Sequence, residues 1–118
     1  MAKMEFELEP YPLEFEPEST ALLIIDMQRD FGEPGGYDEI TGNEVSLEQS
    51  AIFPSKQVLE TARQKGIYVV YVRQGYKPDL SDCPPARLAR FRHKVGVVDP
   101  GPMGRLLILG EPGLDIIP

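Results

Sequence analysis

One cysteine and one histidine are all that 118 residues offer of the two side chains most used in nucleophilic and metal chemistry. A lone Cys83 cannot close an internal disulfide, which fits a reducing compartment. No apolar run approaches the roughly 18 residues of a membrane span, and the opening "MAKMEFELEPYPLEFEPEST" has no signal-peptide core. A cytoplasmic location with no membrane partner is therefore expected. Positive charge is scarce: 12 Lys and Arg against 19 Asp and Glu leave a net −7. "RLARFRHK" is the single basic cluster, so nucleic acid is not expected as a partner. What is plentiful is proline and glycine, 12 and 11 residues, which implies much loop relative to regular structure. The length suits one domain and is too short for two.

Residues 1–18 form an acidic arm in which Glu alternates with Phe6, Leu8, Leu13 and Phe15. Pro10, Pro12 and Pro17 interrupt any long strand, so the arm reads as extended chain lying apolar side down on the surface, or as a partner-binding arm. Residues 19–118 make up the domain proper. "ALLIID" is the clearest strand, a continuous aliphatic run of the kind covered on both faces in a parallel sheet. A loop of about twenty residues follows, with turn signals at Gly32, Pro34-Gly35-Gly36 and Gly42-Asn43. "SAIFPSKQVLETARQKG" then reads as a helix, with Ile52, Leu59 and Ala62 near one face and Lys56, Glu60 and Arg63 largely opposite. Pro54 suits its first turn and Gly66 its end. "IYVVYVR" is a second strand. Strand, helix and strand make one βαβ unit with parallel strands and a right-handed crossover.

Beyond Arg73 the pattern weakens. About thirty residues show little periodicity apart from a candidate helical turn around Ala86 to Phe91, and a loop of that length in a compact domain is usually either functional or a sign of misassigned elements. "RLLILG" reads as a short third strand. The class is α/β, part of a mainly parallel sheet flanked by helices. One βαβ unit cannot cover both faces of its own sheet, so either something else completes it or the chain is part of a longer fold.

Asp26 stands where the first strand ends, and in open parallel sheets the ligand crevice lies outside the carboxyl ends of the strands. A carboxylate there is partly desolvated, a setting suited to proton transfer. Its ordinary alternative is a turn or helix-cap residue. Asp30 is the more ordinary of the two, a loop residue. A haloacid-dehalogenase-type phosphatase would need a second Asp where Gln28 stands, and the P-loop spacing is absent.

"ALLIIDMQRDF" with "PGGY" behind it resembles the isochorismatase-like cysteine hydrolases. The resemblance continues through "IYVVYVRQGYKPDLSDCPPARL" and "GPMGRLLILGEPGLDIIP", which look most like the biuret and ureidoacrylate amidohydrolase branch. It implies a mainly parallel sheet with helices on both faces, an oligomer, and catalysis by an Asp, a Lys and a Cys. Asp26 matches the family's Asp. In the implied chemistry the Cys attacks an amide or ureido carbonyl, the Asp takes the thiol proton, and backbone N–H groups near the Cys hold the oxyanion.

The family's Lys and Cys lie downstream of a segment like "GEPGLDIIP", where this chain stops, so the expectation is an N-terminal half that is inactive alone. A complementary C-terminal fragment, or further copies in a homo-oligomer, is the implied partner, and the implied ligand is a small amide or ureido compound. Lys77 and Lys94 belong to the wrong region. Cys83, in "SDCPP", lacks a pKa-lowering setting and reads as a half-buried loop residue. No cofactor is implied. No metal is implied either: relatives that bind one do so through histidines after the first strand, and none occurs before His93, itself a surface residue of a basic patch. That patch is suited to neutralising the acidic arm or an acidic face of a neighbouring subunit. Phe31 is a candidate pocket wall, and Arg73 and Gln74, at the carboxyl end of the second strand, are candidates to hydrogen-bond a polar substrate. The competing reading is a truncated remnant without catalysis, serving as a binding or subunit-interaction module.

Overall fold

A computed structural model describes residues 3–95 and 101–118, with the backbone alone for Lys94 and Val95. Part of the long aperiodic segment, residues 96–100, therefore lies outside the described residues.

The centre of the fold is the expected βαβ unit. Strand β3 (Ala21–Ile25) pairs in parallel with β4 (Tyr68–Val72), in register from Ala21 opposite Tyr68 to Ile25 opposite Val72. Helix α4 (Ile52–Gln64) connects them and packs on both. Pro54 lies in its first turn, where a missing N–H costs nothing. The helix closes on Gly66, whose φ of +71 is left-handed. The Ile67 N–H reaches the Ala62 carbonyl at 2.9 Å and the Gly66 N–H reaches Arg63 at 3.2 Å. This pair of bonds satisfies carbonyls that would otherwise be stranded at the helix end. Arg63 also donates to the Tyr71 hydroxyl at 3.0 Å, tying helix to strand.

Alternation sends Leu22, Ile24, Val69 and Tyr71 to one face and Ala21, Leu23, Ile25, Tyr68 and Val72 to the other. Ile24 and Tyr71 line a cleft with Ile52, Leu59 and Arg63 of α4. The opposite face is bare: Leu23 is 51% exposed, Ile25 56% and Tyr68 72%. Expected cover on both faces is thus present on one only. The physical reason is that, of the helices between β3 and β4, α4 is the one that packs along both strands, and it can lie on only one side.

Four other expectations are corrected. The arm is not a single extended segment: β1 (Met4–Phe6) and β2 (Leu13–Phe15) form an antiparallel hairpin, with Phe6 stacked on Phe15 at 4.8 Å. The prolines fall outside both strands, so they bound the pairing rather than preventing it. The loop after β3 contains three short helices, α1 (Arg29–Gly32), α2 (Tyr37–Ile40) and α3 (Val45–Gln49). Each is too short to show periodicity, and packing rather than propensity holds it. "RLLILG" is not a strand. It meets the chain at one isolated parallel bridge, Tyr76 to Ile108, because Leu107 turns left-handed with φ +56. The turn near Ala86 lengthens to helix α5 (Pro85–Val95).

Apart from Ala62 of α4, the buried apolar residues among those described, Met103, Leu106, Leu107, Ile108 and Leu114, come from the last segments of the chain. This core packs beside α1 and the carboxyl end of β4, not under the sheet.

Candidate functional site at the carboxyl end of the sheet

Two buried polar side chains tie together the segments around the carboxyl end of the sheet. Gln28, fully buried, follows β3 by three residues. Its amide accepts the Gln74 N–H at 2.7 Å and donates to the Gln74 carbonyl at 2.9 Å and the Leu114 carbonyl at 3.3 Å. One side chain thereby fastens the end of β4 and the returning C-terminal segment to the end of β3. That segment is held on the main chain as well: Arg29 N–H donates to Asp115 at 2.9 Å and Ile117 N–H to Met27 at 2.9 Å.

Asp30, 1% exposed, performs a similar task one turn later. Its carboxylate accepts the Leu107 N–H at 3.0 Å and the Tyr37 N–H at 3.3 Å. Burial raises its pKa above the ordinary carboxylate value, while the two backbone N–H groups and the Arg29 guanidinium pull it back down. The approach is close on two sides. A Cβ at Gly36 would stand 2.6 Å from the Asp30 backbone, and one at Gly113 would run into the Asp30 carboxylate. The "PGG" and "EPGL" turns therefore both need glycine beside the same aspartate. Asp30 was expected to be an ordinary loop residue; it is a buried node of the fold.

Asp26 differs in every respect. Its N–H donates to the Val72 carbonyl at 2.9 Å, the last rung of the parallel ladder. Its backbone then turns left-handed, φ +59, a conformation that Asp tolerates better than most residues. Its side chain is half-buried and, among the described residues, makes no hydrogen bond. A short helix does follow, but its N-cap is Gln28, not Asp26. The carboxylate faces a cavity of about 300 Å³ lined by Ile25, Met27, Phe31, Asp38, Glu48 and Ile117, with Gly32 and Ala51.

Of the residues singled out in the sequence, Asp26 and Phe31 thus share one cavity. Arg73 and Gln74 do not line it. Arg73 is exposed just past β4, and the main chain of Gln74 is engaged by Gln28. Cys83 is half-buried in a separate small cavity with Tyr76, Leu80, Leu88, Phe91, Arg105, Leu106 and Ile108. His93 is exposed. Among the described residues no group of three His, Cys, Asp or Glu is placed to hold a metal ion, and no helix is long and apolar enough to cross a membrane.

Two residues of the cavity were not anticipated. Asp38 opens α2 and Glu48 lies in α3, both inside the segment read as loop. Asp38 is pushed above the ordinary carboxylate value, first by burial and further by the neighbouring Glu48, against a hydrogen bond from Asn43 at 3.3 Å that lowers it. The only signal available in sequence was their number of residues from Asp26, and without the short helices that separation says nothing of proximity. Chemically the cavity combines one unengaged carboxylate, an aromatic wall and two further acidic groups. It suits a small, neutral ligand with several N–H donors and disfavours an anion.

Residues 20–118 match the isochorismatase domain family. The chain is similar to the ureidoacrylate amidohydrolase RutB of Caulobacter segnis, 39% identical over 67 residues, which cover 57% of this chain and 28% of that protein. It is 37% identical over 74 residues to RutB of Azorhizobium caulinodans, covering 63% and 33%. With RutB of Pantoea ananatis the match runs over 112 residues at 30% identity, 92% of this chain and 45% of that protein. The chain spans less than half the length of each of these curated relatives.

Proposed function

Starting from a chain that belongs to the isochorismatase domain family, we propose that it is the N-terminal portion of an amidohydrolase that cleaves a C–N bond of a small carbamoyl or ureido compound. In this reading Asp26 is the general base, Phe31 walls the substrate site, and the nucleophilic Cys and the Lys come from a complementary segment. The observation that carries it is Asp26 itself: a residue at the carboxyl end of a parallel strand, half-buried, without a side-chain hydrogen bond among the described residues, and lining a cavity of small-molecule size. The printed activity of the relatives supports the substrate class. Asp38 and Glu48 favour, within it, a neutral biuret-like compound over an anionic one. Arg73, exposed beyond β4, and Gln74 would hydrogen-bond the part of the substrate that extends past the cavity. The reading places the protein in the cytoplasm, where its thiols stay reduced.

The steps balance simply. The thiol sulfur bonds to the carbonyl carbon as Asp26 accepts its proton. The C–N bond breaks, and that proton leaves with the amine as ammonia. Water then adds to the carbamoyl thioester, giving one proton to Asp26; the C–S bond breaks, the departing sulfur takes that proton back from Asp26, and the acid product leaves. Mixing the chain with a fragment carrying the Lys and Cys, and measuring ammonia released from biuret, tests this. Release that requires both pieces is expected; a folded, stable mixture that releases none contradicts it.

A second reading rests on the bare face of Leu23, Ile25, Tyr68 and Val72: a binding or subunit-interaction module without catalysis. It predicts that those residues become protected from solvent in the assembled state, with no thiol-dependent hydrolysis.

A further inference from the structure

Acidic and basic side chains are segregated on the surface. In the hairpin, register places Glu5 directly opposite Glu14, an arrangement in which like charges repel. Glu7, Glu9, Glu16 and Glu18 are exposed around them. The hairpin's other face is apolar: Met4, Phe6 and Phe15 border an open cleft with Val58, Thr61 and Ala62 of α4, and Phe6 remains 52% exposed. Strand alternation puts Glu5 and Glu14 on the face away from that cleft, and both are exposed. Lys3 reaches Glu14 at 3.3 Å, and it is the hairpin's one cation.

Helix α5 is its opposite. It contains no acidic residue, and Arg87, Arg90 and His93 recur at three-residue spacing along one face. Leu88 and Phe91 turn inward, Phe91 against Tyr37 at 5.3 Å. Arg90, Arg92 and His93 are exposed. Among the described residues the salt bridges are Lys3–Glu14 and Arg29–Glu33, so neither surface is neutralised by the other within one chain.

We propose that the acidic face of the hairpin docks on the basic face of α5 in a second copy of the chain, forming a two-fold dimer with two such contacts. Charge complementarity selects the occupant. Each copy carries one acidic and one basic surface, and reciprocal pairing satisfies all four at once. At net −7, copies can approach only where the local charges attract, so these surfaces also fix the orientation of encounter. Neither surface contributes to the Asp26 cavity, and the inference does not depend on the proposed hydrolysis.

Sedimentation velocity of the whole chain tests it. A dimer is expected at low salt, where the screening length is about 30 Å, dissociating toward monomer near 1 M salt, where it is about 3 Å. Glu5→Lys/Glu16→Lys and Arg90→Glu/His93→Glu should each be monomeric alone, and an equimolar mixture of the two should restore the dimer, because each then offers what the other lacks. Far-UV circular dichroism matching the parent confirms that both variants are folded; should either double variant fail that check, Glu16→Lys and Arg90→Glu serve in its place. The proposal is overturned by a chain that is monomeric at low salt, by association that salt leaves unchanged or strengthens, as the bare sheet face would give, or by variants whose mixture stays monomeric.

Discussion

Asp26 and Asp30 stand four positions apart, and the structure uses the two in opposite ways. Asp30 is 1% exposed, accepts two backbone N–H groups and is crowded by Gly36 and Gly113. Asp26 is half-buried, has a left-handed backbone, is unengaged and faces open volume. A buried polar group whose partners are all protein is structure, because removing it strands those partners. A polar group that a fold holds in place yet leaves without a partner is available for something else. The difference separates scaffold from chemistry more reliably than residue type or position in the chain.

The sharpest way to break this comparison is to remove the scaffold aspartate. Asp30→Ala leaves the Leu107 and Tyr37 N–H groups without an acceptor in a buried site, and is expected to destabilise by roughly 2–5 kcal/mol, read as a lowered urea midpoint. Gly113→Ala attacks the same node by overpacking and should cost roughly 1–3 kcal/mol by the same measurement. A third variant reports the node's titration. Burial holds the Asp30 pKa above its usual 3.8, so the folded state favours the protonated acid. Its contribution to stability is fully present below the unfolded value and is lost as pH rises through the raised folded value. Measured against Asp30→Asn, which cannot ionise, the parent should lose relative stability across that window; a flat difference would contradict the assignment. The smallest effect on stability belongs to the other aspartate: Asp26→Asn should stay within about 0.5 kcal/mol of the parent, since it breaks no bond and Asn tolerates the left-handed backbone. On the site side, Asp38→Asn with Glu48→Gln should shift preference in the reconstituted hydrolase toward anionic ureido compounds.

Much of this was legible in the residues. "ALLIID", "IYVVYVR" and the helix between them carry strong periodicity and end signals, and all three formed, with the strands parallel. Asp26 could be placed at a strand end from the same pattern, and the stretches that carried the family resemblance converge in space through Gln28, Asp30 and the C-terminal segment. What could not be read was anything decided by distant contacts. Gln28 joins residues 46 and 86 positions away, and no local pattern marks a glutamine as a clamp. Asp38 and Glu48 enter the cavity only because α2 and α3 fold back beside α1. Leu107 breaks the expected third strand by a single backbone turn. Arg73 and Gln74 were placed correctly at the end of β4, but the distance from there to the cavity is set by packing that Gln28 arranges.

The central claim is that Asp26 is present for chemistry and not for the fold, and one paired measurement on Asp26→Asn in the reconstituted enzyme tests it. Ammonia release from biuret is expected to fall by about a hundredfold or more, with the urea midpoint unchanged. Release at the parental rate, or a loss of activity matched by a loss of stability, would contradict it.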